Sequence, residues 1–297
     1  MTEPRSDSPE PVTGAVIIPA HNEAGVIAGT LEKLAPLLSH TGVDIIVVCN
    51  GCADDTADIA RRTPGVRVLE TTASSKPSAM NLGDRSTTRW PRLYLDADIA
   101  VEPAAVEAVF RELAEGGRRL AARPTAVMDT HASSLPVRAY YRARARIPEQ
   151  GTRLWGAGLY AASEAGHARF DRFPEVTADD SYFDSLFAES EKTVDATPAA
   201  LIRAPRNSAA LLQILSRHRR GFVELDTEAA RSSDRAVALL GTIRGVPSAF
   251  DAVWYAAFAV AARIRTRRDV GAGTRKWETD GSTRTTQPAR RGTVDAR

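Results

Sequence analysis

The chain has 297 residues, 43% of them apolar, and two cysteines. That is enough apolar material for a sizeable core, and it excludes a disulfide scaffold or a zinc site built on cysteine alone. The net charge of +2 conceals an asymmetry, because residues 203–297 carry 18 Lys and Arg against nine Asp and Glu, an excess that suits nucleic acid, an anionic membrane face or plain solvation.

Met1 to Thr13 is polar and Pro-rich, without the basic start and apolar run of a secretory signal, so a cytoplasmic location is expected. Ala15 to Ile18 reads as a buried strand. Glu23 to Leu38 follows as a helix, with Val26, Ile27, Leu31, Leu34, Leu37 and Leu38 at helical spacing. Asp44 to Cys49 is a second strand, Asp54 to Arg61 a short helix capped by an Asp, Val66 to Glu70 a third strand and Lys76 to Gly83 a helix. Arg92 to Asp96 is the fourth strand, and Pro103 stands at a first helical position ahead of Val106, Val109, Phe110 and Leu113. This alternation predicts an α/β fold with a parallel or mixed nucleotide-binding sheet flanked by helices. The second half is less regular. Strands are expected near Ala121 to Met128 and Leu159 to Ala162, helices near Asp179 to Phe187 and Asn207 to Arg217, and a helical segment from Pro247 to Arg268.

In an open parallel sheet, ligands bind beyond the carboxyl ends of the strands. Three such ends are polar here: Pro19, His21, Asn22 and Glu23 after the first strand, Asn50 to Asp54 after the second, and Asp96-Ala97-Asp98 after the fourth. Each taken alone also reads as a turn or a helix cap. Two carboxylates at spacing two suit a hard cation, and Mg2+ or Mn2+ held by Asp96 and Asp98 would neutralise a diphosphate leaving group. Cys49 and Cys52 form a Cys-x-x-Cys pair, but Cys49 ends a buried strand rather than opening a helix, which argues against a redox role.

In this order the motifs resemble a family 2 inverting glycosyltransferase of the GT-A fold, over about Gly14 to Arg220. The resemblance implies a nucleotide-sugar site lined by Pro19, His21, Asn22, Glu23, Asn50, Lys76, Asn81 and Asp96, with metal on Asp96 and Asp98. Asn50 departs from the family, where an Asp is usual. The acidic pair in Thr177-Ala178-Asp179-Asp180 matches the family's acceptor-half signature, with Asp180 as catalytic base beside Asp179; a helix cap with a first-turn acid is the structural alternative. Trp155, Gly156 and Gly158 resemble the small-residue loop beside the acceptor. Arg217, His218, Arg219 and Arg220 stand where processive relatives carry Gln-x-x-Arg-Trp, but no Trp follows Arg220, so single-sugar transfer is expected, with one or more of these cations on the diphosphate. His131 and His167 read as structural.

The implied activity is metal-dependent transfer of one sugar from a nucleoside diphosphate sugar to an acceptor hydroxyl with inversion, in polysaccharide or glycoconjugate biosynthesis. The acceptor class stays open among sugar, lipid-linked and small-molecule acceptors, and no nucleic-acid partner is assigned. A sugar-phosphate nucleotidyltransferase and a non-catalytic nucleotide-sugar binder are the alternatives; the former would carry a Gly-rich basic loop that Pro19 to Glu23 lacks. The expected organisation is an unstructured N-terminus (1–13), a transferase domain (14–225), a helical appendage (226–270) and an unstructured basic tail (271–297). Phe250, Trp254 and Phe258, beside Arg263, Arg265, Arg267 and Arg268, suggest either peripheral attachment at the inner face of a membrane or a helix covering the core.

Overall fold

The computed structural model describes residues 12–114, 116–148, 151–224 and 232–271. Of the segments expected to be unstructured, 1–13 and 271–297, all but Val12, Thr13 and Gly271 lie outside the described residues; Thr13 opens β1 and Gly271 closes α10. The elements run β1 (Thr13–Ala20), α1 (Ile27–Leu34), β2 (Gly42–Asn50), α2 (Thr56–Arg61), β3 (Val66–Thr71), α3 (Lys76–Arg85), β4 (Arg92–Leu95), α4 (Pro103–Ala114), β5 (Ala121–Asp129) and α5 (Leu135–Arg146). Then come β6 (Leu159–Ala162), α6 (Glu164–His167), α7 (Asp179–Ser185), β7 (Lys192–Arg203), α8 (Ser208–Glu224), α9 (Ser232–Gly241) and α10 (Val246–Gly271).

The seven strands form one sheet in the order β3-β2-β1-β4-β6-β5-β7. Only β6 runs against its neighbours, pairing antiparallel with β4 and β5. The sheet is therefore mixed, as the alternation of patterns predicts. Side chains alternate between its faces. Val16, Ile18, Ile45, Val47, Leu93 and Leu95 pack on one side with α1 and α4, while Ile17, Ile46, Val48, Tyr94 and Tyr160 pack on the other with Met80 of α3 and Phe183 of α7. Helices on both faces explain why β1 and β2 read as continuous apolar runs.

The first helix is shorter than its periodicity implies. Pro36 cannot donate an i→i−4 bond, so the chain tightens into a 3-10 turn over Ala35–Ser39. Regular helix begins at Thr56, with Asp55 at the N-cap position and no side-chain cap bond from it; Asp54, one residue earlier, accepts from the Thr56 backbone N–H at 3.1 Å.

Among the elements absent from the sequence-based expectation are β7 and α5. β7 contains Pro198 and lies at the sheet edge beside β5, a place where a strand tolerates proline. α5 is Arg-rich, yet its Val137 and Tyr140 bury against Leu211 of α8 and Phe258 of α10. The C-terminal helix thus packs onto α5 and α8, and its Asp251 is closed over by α5: Arg142 donates to Oδ1 at 2.6 Å, and Arg146 donates to Oδ2.

This pairing sets a pH-dependent stability. Burial works against ionisation of Asp251, but the hydrogen bonds from Arg142 and Arg146 outweigh it and hold its pKa below the usual carboxylate range. A depressed pKa stabilises the fold above the unfolded-state value near 3.9, and the benefit is lost as pH falls through the folded value. Asp251→Ala is expected to cost about 1–3 kcal/mol at neutral pH. The gap from the parent protein should shrink in acid, as urea unfolding at both pH values would show.

Phe250, Trp254 and Phe258 suggest either membrane attachment or a helix covering the core, and the structure divides them between the two. Phe258 is buried and Trp254 packs beside it, whereas Phe250 is exposed. No helix among the described residues is long and apolar enough to cross a membrane.

Candidate active site

The parallel strands β1, β2 and β4 end at one edge of the sheet, and antiparallel β6 begins there, so the polar loops after the first three meet the loop before the fourth. Asp96 donates its backbone N–H to the Gly158 carbonyl at 2.8 Å. A Cβ at Gly158, where φ is +69°, would stand 3.0 Å from Asp96 Oδ2 and 2.9 Å from Ile99 Cγ1. Gly158 is thus required by Asp96 as much as by any acceptor.

At the first two strand ends, His21 donates through Nδ1 to the Asn50 carbonyl at 2.6 Å. Asn22, in the left-handed region at φ 54°, accepts from the Ala53 N–H at 2.7 Å. Thr56 Oγ1 accepts from the Glu23 N–H at 2.8 Å. Pro19 is buried within β1 opposite Val48. The Asn50 side chain is 1% exposed, and neither its amide oxygen nor its nitrogen has a protein partner. Such an orphaned amide calls for a ligand or water to complete it. Cys52 donates its thiol to the Ala20 carbonyl, and burial pushes the Cys49 thiol up to about 12, the reverse of a reactive thiol.

The acidic groups converge around one lysine. Lys76 Nζ stands 2.7 Å from Asp96 Oδ1 and 2.9 Å from Asp179 Oδ2, and Tyr160 donates its hydroxyl to Asp179 Oδ2 at 2.6 Å. Burial alone would depress the Lys76 pKa; the Asp179 and Asp96 carboxylates outweigh it and raise the net value. Lys76, expected to face the nucleotide, here ties the β4 acid to the acidic pair. Asp180 turns the other way and accepts from the N–H groups of Gly156 and Ser181, both at 2.7 Å. Burial and the nearby Asp179 charge raise its pKa above the ordinary carboxylate value. Asp98 sits partly buried two residues beyond Asp96.

Two expected residues are engaged elsewhere. Asn81 donates to the Phe173 carbonyl at 2.9 Å and accepts from the Phe173 N–H at 2.8 Å, which holds the 170s loop against α3. Trp155 is 7% exposed, with the Arg153 guanidinium 5.4 Å from its ring centroid, so the loop offers its glycines, not its indole, to the cleft. His167 bonds Asp84 at 3.2 Å, within a network that includes Arg92 and Tyr94.

His218 of α8, which the sequence offers only as one of four basic residues, is the one that reaches the acids. A Cβ on Gly221 would collide with the Ala178 Cβ, so α8 packs tightly on the residue just before the acidic pair. His218, one turn earlier on the same face, is brought to the acids. Burial, then the Arg217 and Arg144 charges, lower its pKa to about 3, against the opposing pull of Asp96 and Asp179. It is a neutral imidazole at physiological pH. Arg144 of α5 approaches the same place, its Nη2 3.9 Å from where a Gly156 Cβ would be.

Residues 15–160 match the family model described as glycosyl transferase family 2. That stretch belongs to glycosyltransferase family 2. The match runs from β1 into β6 and takes in the strand-end motifs, Lys76, Asp96, Asp98 and the Trp155 to Gly158 loop. The acidic pair and α8 lie beyond it. No curated protein sequence matches the chain.

Among solved structures, the mannosyltransferase PcManGT from Pyrobaculum calidifontis, in complex with GDP-Man and Mn2+, aligns with a TM-score of 0.62. The identity is 16%, over 87% of this chain and 88% of that one. Glucosyl-3-phosphoglycerate synthase from Mycobacterium tuberculosis aligns at 0.52 and 21% identity, over 72% of this chain and 79% of that one. These likenesses establish the GT-A fold. The matched stretch carries the edge where β1, β2 and β4 end.

Among the described residues, no three His, Cys, Asp or Glu side chains are gathered at metal-binding geometry. The chemistry of the donor set nevertheless fits a divalent ion. Asp96 and Asp98 offer carboxylate oxygens, and Mg2+ or Mn2+ ordinarily takes only one or two carboxylates, completing its shell with substrate phosphates and water. The Lys76 ammonium at Asp96 already shows a cation accommodated there.

Proposed function

We propose that the protein moves one sugar from a nucleoside diphosphate sugar to an acceptor hydroxyl with inversion, with Asp96 and Asp98 holding Mg2+ or Mn2+ and Asp180 accepting the hydroxyl proton. Glycosyl transfer from a nucleotide sugar follows from the family and fold. The observation that carries the finer reading is the gathering, at one sheet edge, of Asp96, Asp98, the Asp179–Asp180 pair and a neutral His218. The two related proteins were crystallised with GDP-Man and Mn2+ and with UDP and Mn2+, which supports a nucleoside diphosphate and a divalent ion at this edge.

The residues divide the work. The metal, when bound, supplies charge stabilisation to the departing diphosphate. Asn50 presents a buried amide with both donor and acceptor capacity to the nucleotide, beside His21 and the turn at Asn22. Asp179 is paired with Lys76 and accepts from the Tyr160 hydroxyl, which leaves Asp180 as the member of the pair with no cation at hydrogen-bond distance. Its raised pKa suits a group that must take a proton. Gly156 and Gly158 leave room for an acceptor beside it, and Arg217 and His218 close the opposite side, where they can donate to phosphate oxygens.

A panel of UDP- and GDP-sugars with Mn2+, read by thermal shift, is expected to single out one donor. At a hundred times its Kd, that donor should stabilise the fold by about 2.7 kcal/mol. The anomeric configuration of the transferred sugar, read by NMR, then tests inversion, and retention would remove the direct-displacement role of Asp180. A chain that binds a donor but neither transfers nor hydrolyses it would instead be a nucleotide-sugar binder.

A further inference from the structure

The 26-residue α10 is apolar on two opposite faces. The inner face, with Ala252, Phe258 and Ala262, is buried against α5 and α8. On the outer face, Val246, Phe250, Val253, Val260 and Ile264 recur at heptad-like spacing and are all exposed, from 48% at Ile264 to 85% at Val246. Leu240 and Ile243, at the end of α9 and just after it, are exposed as well. A surface helix normally keeps one apolar stripe and turns a polar face to water, and a continuous exposed stripe of this kind marks an interaction surface.

Charge identifies the occupant. From Ala252 to Arg268 the sequence holds no acidic residue, while it holds Arg263, Arg265, Arg267 and Arg268. Of the two acids of α10, Asp269 follows the cluster directly, against four arginines, and Asp251 is turned inward onto Arg142 and Arg146. The stripe therefore ends in a basic cluster, of which Arg267 and Arg268 are exposed. A second copy packed in parallel would bring like charges together, one packed antiparallel would set the arginines against Val246 to Phe250, which hold no acid, and the positions flanking the stripe (Ala249, Ala256, Trp254, Ala261) offer none either. An apolar stripe with a basic flank matches a surface of anionic lipid.

We propose that the outer face of α10 seats this protein on an anionic membrane surface. The stripe enters the acyl–headgroup boundary and the arginines engage lipid phosphates and carboxylates. The helix lies in the interface and does not span. Helices α5 and α8, which carry Arg144 and His218, then lie between the bilayer and the sugar-transfer site. The inference rests on the helix face and not on the donor chemistry.

The test is flotation of the full-length chain with phosphatidylserine–phosphatidylcholine vesicles and with phosphatidylcholine alone. Flotation is expected with the anionic vesicles, weakening with salt, and not with the neutral ones. Val253→Asp/Val260→Asp should weaken it at least about tenfold, because two charges would enter the acyl boundary while the basic tail stays intact. Arg267→Glu/Arg268→Glu should do the same through the opposite term. Both pairs alter exposed positions, so circular dichroism melts should match the parent. Failure of the full chain to float with anionic vesicles would overturn the proposal, as would flotation indifferent to both double variants. A concentration-dependent dimer in sedimentation that disperses in Val253→Asp/Val260→Asp, without vesicle capture, would assign the face to a second copy and overturn it equally.

Discussion

Asp180→Asn is expected to lower transfer by about 10²–10⁴-fold while leaving donor affinity near that of the parent enzyme. The side chain keeps its size and still accepts the Gly156 N–H, so the loop beside the acceptor stays in place, but it no longer takes a proton. Steady-state kinetics paired with donor binding by calorimetry separates the two effects. The fold should not suffer. A carboxyl whose folded pKa is raised above its unfolded value is stabilising only while protonated, and that benefit is lost as pH rises through the folded pKa. Asp180 is raised by burial and by Asp179, so at neutral pH its charge is a burden on the native state. Removing it should hold or raise the melting temperature, offset by the loss of one acceptor for the Ser181 N–H. The acid limb of kcat/KM, placed above the ordinary carboxylate range by the same shift, should vanish in the variant. Asp179→Asn should behave differently, because Asp179 is the partner of Lys76 and Tyr160 and its loss loosens the site as a whole. If Asp179→Asn loses turnover with stability intact and Asp180→Asn is fully active, the base is one residue earlier than assigned.

The donor half of the site was legible in the sequence because it is local. Continuous apolar runs announce β1, β2 and β4, and a strand that ends in polar residues puts them at the sheet edge whatever the rest of the chain does. The acceptor half is assembled from elements distant in sequence, and periodicity carries no information about which meet. His218 lies 122 residues after Asp96. What delivers it is the close contact of Gly221 with Ala178, for which the only sequence signal is a glycine one turn after a His in an otherwise good helix. Lys76 reads as a basic residue at a helix start, and nothing in its neighbours says that it will bridge two carboxylates from other strands and helices. Asn81 has the amide chemistry of a nucleotide contact, and nothing in its neighbours says that it will bond the Phe173 backbone. The faces of α10 stayed open in the sequence for a different reason. With both faces apolar, the pattern has no unique phase, and packing on α5 and α8, together with the Asp251 pairing, selects Phe258 for the inside and Phe250 for the outside.

Removal of Asp98 is the larger test of the leaving-group side. A diphosphate brought to the end of β4 meets Asp96 and Asp98 at close range, and like charges there repel unless a cation stands between them. Lys76 offsets part of this, but its ammonium is shared between Asp96 and Asp179 and is fixed by both. Charge developing on the departing diphosphate then needs a divalent ion, whose stabilisation is worth several kcal/mol. At about 1.4 kcal/mol for each factor of ten, Asp98→Ala is expected to lose at least about 10²-fold in transfer, and excess chelator should do the same to the parent enzyme. The two effects should not add, because both remove one interaction. Donor binding distinguishes this variant from Asp180→Asn: it should weaken in Asp98→Ala, it should lose its dependence on added Mn2+, and neither change should appear when only the base is altered. Full transfer by the parent protein in excess chelator would remove the metal from the reaction and leave Lys76 and Arg217 as the cations that meet the diphosphate charge, with neutral His218 a hydrogen-bond donor.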